Sequence, residues 1–389
     1  MNRSDAAVIS GIYEIPTRLS PDKSIAMLHA EAARGALEDA GLTHRDVDAY
    51  FCAGDAPGFG PVSMADYMGL KLRHADSTEF GGASYISHVA RASAAIESGR
   101  CNVALITLAG RPRSEGRAVG TTARTASLQV PDTAYETPYK PNVTTLYGMS
   151  AKRHMHEYGT TSEQLAWIRV AASQHAQHNP NALLRKPVSV QDVLESPIVA
   201  DPLHRLDCCV VTDGGGAIVV SRREIARDTG RQLVAIRGAG DAIYHQQGGA
   251  INLTTTGAAA SGRLAFEQAG ITPADIQYAS IYDSFTITVL LQIEDLGFCA
   301  KGDGGKFVAD GNLISGVGKL PFNTDGGGQC NNHPANRGGL TKVIEAVRQL
   351  RGQAHPAVQV PNCQLAVAQG IGGWVGSRHA SSTLIMERL

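Results

Sequence analysis

Apolar residues run along this chain in two patterns. Short continuous runs such as "AVISGIYEI", "VALITLAG" and "GAIVV" predict strands whose sheets are covered on both faces. Runs with three-to-four spacing, such as "VIEAVRQL", predict amphipathic helices. The two kinds alternate. "ALEDAGLTHRDVDAY" from Ala36 recurs as "AFEQAGITPADIQYA" from Ala265. Each reads as a helix end, a Gly C-cap, a turn and a strand, and each follows a strand signal. A second echo pairs "HVARASAAIESGRCNVALITLAG" with "LTKVIEAVRQLRG" and "QLAVAQGIGG". The pattern predicts a layered α/β fold from two tandem pseudo-equivalent halves, 1–228 and 229–389. Residues about 111–205 interrupt the first half and are expected as an inserted loop region covering a site.

Bulk composition narrows the function. The 389 residues exceed one simple core, and 43% apolar with 18% charged is a globular balance. The formal net charge is −1, which argues against nucleic-acid and membrane-surface binding. No apolar run approaches the ~20 residues that span a bilayer, and the N-terminus carries no secretory pattern. Seven scattered cysteines without such a signal read as reduced thiols in a cytoplasmic protein. No CxxC or HExxH is present, so no metal site is expected.

The chemistry concentrates in loops ahead of helices. "EFGGASYISH" occupies this place in the first half, and "NTDGGGQCNNHPANRGG" in the second. A helix N-terminus offers unpaired N–H groups and partial positive charge, which suits an oxyanion or phosphate. His333, followed by proline in a glycine-rich loop, is a helix-mouth cap on a bland reading and a reacting group on a sharp one.

Four stretches carry a family resemblance: "LYGMSAKRHMHEYGTT", "DVLESPIVADPLHRLDCCVVTDGGGAIVV", "YDSFTITVLLQIEDLGFCAKGDGGKFV" and "NTDGGG…HPANRGG". Over nearly its whole length the chain resembles the thiolase superfamily, in particular its sterol-carrier-like or lipid-transfer-protein branch. The resemblance implies a layered α-β-α-β-α fold and a homodimer. It also implies a nucleophilic Cys, an Asn-Glu-x-Phe motif, a Gly-His-Pro motif and a Cys-x-Gly loop. Here the nucleophile position falls on Gly82 in "GGAS", beside Ser84, and the Cys-x-Gly loop reads Gly370-Ile371-Gly372. The Asn-Glu-x-Phe motif reads Tyr282-Asp283-Ser284-Phe285, and only the histidine remains, as His333.

Without a thiolate, Claisen chemistry through an acyl-enzyme has no route. Aldol cleavage needs no nucleophile, only a base for a β-hydroxyl, donors for an enolate oxygen and an acid. Members of this branch lacking both cysteines resemble steroid side-chain aldolases, which act with a small zinc-ribbon/OB-fold partner. The resemblance therefore implies retro-aldol cleavage of a β-hydroxyacyl-CoA, with the coenzyme A thioester as substrate and no bound cofactor. Tyr282 is the expected base, its phenol tuned from ~10 by His333. His333 with Asn331 or Asn332 is expected to hold the enolate oxygen. Asn331 stands where the aldolase pattern carries a second Tyr. Gly82 and Gly372 are expected to leave room where the cysteines would be. His379 is expected either at the site or on a backbone partner.

Arg111, Arg113, Lys140 and Arg153 are candidates for the coenzyme A phosphates or solvated surface charges. Two alternatives stand beside the aldolase. One is an acyltransferase or thiolase-type activity using Cys330 or a partner. The other is a non-catalytic acyl-CoA or lipid carrier.

Overall fold

The computed structural model describes residues 7–118, 142–226, 231–245, 250, 252–334 and 338–389. The first stretch alternates β1 (Ala7–Glu14), α1 (Ile25–Asp39), β2 (Ala49–Cys52), α2 (Pro61–Met68), β3 (His74–Ser77), α3 (Ser84–Glu97) and β4 (Val103–Gly110). Then come α4 (Val143–Tyr158), α5 (Ser162–Ala176), α6 (Val190–Leu194) and a hairpin of β5 (Ile198–Ala200) and β6 (Leu203–His204). β7 (Gly214–Arg222) and α7 (Arg223–Ala226) follow. The remainder holds β8 (Val234–Tyr244), α8 (Ala258–Ala269), β9 (Tyr278–Ile281), α9 (Thr286–Asp295) and α10 (Gly304–Val308). It ends with α11 (Gly339–Arg351), β10 (Leu365–Gly373) and β11 (His379–Arg388).

Local chemistry sets the helix ends. Ser24 caps α1 by accepting from Met27 N–H, and Thr161 and Gln164 form a reciprocal capping box on α5. The two repeats stop their helices alike. Gly41 follows α1 at φ +67°, and Gly270 caps α8 at φ +68°, conformations that favour glycine.

The strands run in the order β3-β2-β4-β7-β1-β8-β11-β10-β9. β1 and β8 meet at only two residue pairs, Val8 with Ala235 and Ile9 with Val234. On either side of that seam the same arrangement recurs. β2 is parallel to β4 and β9 to β10. β7 then lies antiparallel between β4 and β1, as β11 does between β10 and β8. Among the described residues β3 has no full counterpart. Its place is taken by a single parallel bridge between Ala279 and Phe322.

α3 and α11 pack on each other and touch strands from both sides of the seam, while α1 covers β1, β4 and β7, and α8 covers β8 and β11. The result is helix, sheet, helix, sheet, helix. One core cluster joins α3 and α11 to strands of both sides, and two others lie outside. β4 is buried at every position, as its unbroken apolar run predicts. The central helices enter with their N-termini toward the same region. There the loop before α3 meets the ends of β9 and β10.

Candidate active site

β9 runs straight into Tyr282, whose backbone N–H donates to Gln369 O (2.9 Å) and whose carbonyl accepts from Gln292 Nε2 (2.8 Å). Held at both ends, the phenol points to the loop ahead of α11. Its hydroxyl lies 2.8 Å from His333 Nε2, with the rings 5.5 Å apart. Both residues are buried, and both line a cavity of about 250 Å³. Burial pushes the His333 imidazole down to about 4. Asp283 pulls upward and Lys342 downward, and the ring is neutral near neutral pH. A neutral Nε2 facing a phenol can take its proton, so the pair can act as a relay.

The space the phenol occupies is decisive. A Cβ at Gly82 would sit 2.6 Å from both Tyr282 Cε2 and Cζ, and also against Ile371 O. The room expected at Gly82 is therefore filled by the Tyr282 ring. At Gly372 a Cβ would strike the backbone of Phe80 and lie 2.6 Å from Gly82 N. Both glycines line the cavity, but as places where chain segments close on each other.

The loop itself is a single π turn, Gly327–Asn331. Asp283 anchors it by accepting from Gly328 N–H (2.9 Å) and Gln329 N–H (3.1 Å). The same carboxylate forms a fully buried ion pair with Lys342 Nζ (2.6 Å).

The two asparagines do not reach the cavity. Asn331 donates to Asp325 (2.9 Å) and Glu14 (3.2 Å), and its Oδ1 accepts from Arg18 (2.7 Å). Asn332 donates to Glu14 Oε1 (3.0 Å) and accepts from Thr212 Oγ1 (2.8 Å). They hold the loop from behind because buried charges claim their amides. Burial raises Glu14, but Arg18 and Arg348 outweigh it and keep its carboxyl at about 2.

Ser84, a candidate substrate contact by its place beside Gly82, lies off the cavity, and His379 takes the backbone partner that was one of its two expected places. Ser84 Oγ accepts from Phe80 N–H (2.8 Å) and closes the turn into α3. His379 Nε2 accepts from Gly257 N–H (2.9 Å) at the start of α8, with its ring on Tyr244. Neither lines the cavity.

Cys330 is also absent from the cavity wall, and burial pushes its thiol up to about 11. The cysteine that does line it is Cys209, whose thiol burial raises strongly. Neither suits a thiolate nucleophile. All seven cysteines are free.

Other wall residues were not singled out by sequence. Tyr147 stacks on Phe285 at 4.6 Å, and burial raises its hydroxyl above the usual phenol range, so it stays protonated. Ser284 and Trp374 lie on the same wall. The "LYGMSAKRHMHEYG" motif contained Tyr147, but nothing local said which face of α4 it takes. Among the expected phosphate binders, Arg111 donates to Pro21 O, Arg113 to Arg18 O, and Arg153 pairs with Glu157. Lys140 lies outside the described residues. Among the described residues the lining cation is Arg117, which pairs with Glu115 (3.4 Å). Among the described residues no three His, Cys, Asp or Glu side chains cluster as metal ligands, and no helix is long and apolar enough to cross a membrane.

Residues 240–388 match the family model described as thiolase C-terminal domain-like. Over 96% of its length the chain is 33% identical to an acetyl-CoA acetyltransferase of Methanothermobacter thermautotrophicus, covering 97% of that protein. The chain belongs to the thiolase superfamily. Within it, a steroid side-chain-cleaving aldolase of Thermomonospora curvata is 35% identical, with 89% of this chain and 90% of the relative covered. A 17-hydroxy-3-oxo-4-pregnene-20-carboxyl-CoA lyase of Mycobacterium tuberculosis is 33% identical over 95% of this chain and 97% of its own. The solved Ltp2-ChsH2(DUF35) aldolase superposes with a TM-score of 0.87 at 31% identity, covering 99% of this chain and 98% of that one. The layered thiolase-like fold that the resemblance implies is thus the observed one.

Proposed function

We propose that this chain is a carbon–carbon lyase that cleaves a β-hydroxyacyl-CoA by a retro-aldol reaction. One observation carries the reading: a phenol hydrogen-bonded to a neutral His333 fills the space where a nucleophilic side chain at Gly82 would stand. Tyr282 takes the proton of the β-hydroxyl as its own passes to His333 Nε2. The bond between the α and β carbons breaks. Its electron pair moves to the α carbon as a thioester enolate, and a ketone or aldehyde leaves. We assign the enolate oxygen to the hydroxyls of Tyr147 and Ser284; Tyr147 gives its proton to the α carbon, and the proton left on His333 returns through solvent to restore Tyr147. This replaces the role expected of Asn331 and Asn332, whose amides turn away from the cavity to Glu14.

The named aldolase and lyase relatives support this reading, as does the aldolase structure. That solved aldolase is an Ltp2-ChsH2(DUF35) assembly, which supports a small partner here too. Self-association as a homodimer is part of the proposal, with β3 as the outermost strand of its side of the sheet. So are the two-half organisation divided at 228/229 and a cytoplasmic location.

The acetyltransferase relatives make an acyltransferase the second reading. It needs a nucleophile, and the candidate on the wall is Cys209. The test is purified protein with β-hydroxyacyl-CoAs of differing β substituents, followed by mass spectrometry of products and intact protein. Release of a carbonyl compound and a shortened acyl-CoA, with no protein adduct, is expected. A stoichiometric acyl adduct on a cysteine would establish the acyltransferase. Binding without turnover would establish a carrier.

A further inference from the structure

Two adjacent buried residues, Thr212 and Asp213, stand between β6 and β7 and face different parts of the site. Thr212 Oγ1 accepts from the backbone N–H of His333 (2.9 Å) and donates to Asn332 Oδ1 (2.8 Å). The Asn332 amide in turn donates to Glu14 Oε1 (3.0 Å). Glu14 is fixed by Arg18 (2.7 Å) and Arg348 (3.0 Å). The chain of bonds therefore runs from a buried, doubly paired carboxylate to the backbone of His333. A parallel bridge between Thr212 and Pro334 keeps the two segments in register.

Asp213 turns the other way. Its Oδ1 accepts from the N–H groups of Arg113 (2.9 Å) and Ser114 (3.0 Å). Its Oδ2 accepts from Ser20 N–H (2.9 Å) and from the Ser114 hydroxyl. The segment it holds supplies Pro112, Arg117 and Ala118 to the cavity wall. One carboxylate thus gathers four donors and ties the rim of the cavity to the segment that carries the support of His333. Charge-assisted bonds of this kind are stronger than neutral ones and lose geometry when the charge goes.

We infer that Thr212 and Asp213 are positioning residues with separable duties: Thr212 sets the place of His333 for the chemical step, and Asp213 holds the 112–118 rim for substrate binding. Neither touches the reacting atoms, so both act through other groups. The inference rests on the proposed acyl-CoA lyase activity only for its kinetic half.

The kinetic test uses propionyl-CoA in D2O, with deuterium entering the α carbon read by mass spectrometry. Thr212→Val should lower the maximal exchange rate about tenfold with the half-saturating concentration unchanged, and Thr212→Ser should restore it. Asp213→Asn should raise the half-saturating concentration about tenfold with the maximal rate unchanged, and Ser114→Ala should move it the same way by less. Both variants moving the same parameter overturns the inference.

The second measurement needs no reaction: amide hydrogen exchange of the unliganded full chain. Thr212→Val should speed exchange in peptides across 326–334, and Asp213→Asn in peptides across 111–118, each leaving the other peptide unchanged. If either variant loosens both, the division of duties is wrong. Should the wild type fail to exchange propionyl-CoA, the lyase reading falls, while amide exchange still decides the roles of the two residues.

Discussion

The ring of Tyr282 and the missing side chain of Gly82 occupy the same volume: a Cβ on Gly82 would lie 2.6 Å from two ring carbons. In this chain the phenol and any side chain at position 82 exclude each other.

That exclusion is measurable as coupling. Gly82→Cys alone forces the Tyr282 ring aside and should cost about 1–3 kcal/mol by overpacking, with loss of cleavage. Adding Tyr282→Ala removes the ring clash but leaves Ile371 O against the new Cβ, so the double variant should be less destabilised than the sum of the singles by at least ~0.5 kcal/mol yet stay below wild type. Urea unfolding of the four proteins closes the cycle. Strict additivity would show that the ring and the cysteine do not compete.

Removal of the relay should act on the chemical step. Tyr282→Phe and His333→Ala are each expected to lower the cleavage rate by about 10²–10⁴. The double variant should be little worse than either, because the two groups move one proton. Steady-state kinetics with a cleaved β-hydroxyacyl-CoA reads this directly. Tyr147→Phe should slow both cleavage and α-proton exchange, since it removes the acid.

Acid should destabilise the fold well before the carboxylates titrate. Burial lowers His88, His175, His333 and His379 from 6.5 to about 4. Between those values the unfolded chain binds protons that the folded chain refuses. The histidine contribution is therefore present above about 6.5, falls as pH drops toward 4 and levels below it, where the depressed Glu14 carboxyl begins to lose its own contribution. Glu345, raised by burial and Asp325 to about 7, works in the opposite direction over part of this window. Burial also raises Asp207, Asp295 and Asp325, so these four carboxyls reduce the size of the trend that the four histidines set. Thermal midpoints from pH 7.5 to 4 are the check, and a flat or rising trend on acidification would contradict it. For the same reason the activity should show no His333 limb near 6.5.

The buried pair behind the loop is a stability element. Lys342→Met removes the cation from the buried Asp283 carboxylate, with Gly328 and Gln329 still hanging on it. The cost should be about 3–5 kcal/mol, seen in denaturant unfolding. Asp283→Asn/Lys342→Met should recover much of it, since no lone charge remains.

Periodicity and end signals are local, and they were enough for the alternating elements. Gly41 and Gly270 stop matching helices, and the unbroken apolar run Val103–Gly110 becomes a strand buried at every position. The pairing of Tyr282 with His333 was legible only through the family motifs, since 51 residues separate them. Where side chains point was another matter. Asn331 and Asn332 sit beside His333 in the chain, yet Glu14, Arg18 and Thr212, more than a hundred residues distant, turn their amides away from the cavity. His379 is likewise taken by the N–H of Gly257, which only the folded chain brings near, while Ser84 is taken locally by the N–H of Phe80. Tyr147 became a wall of the site because α4 packs its ring on Phe285. Elements follow from neighbours in sequence. The direction of a polar side chain in a buried site follows from whichever partner satisfies it, and that partner comes from anywhere in the fold.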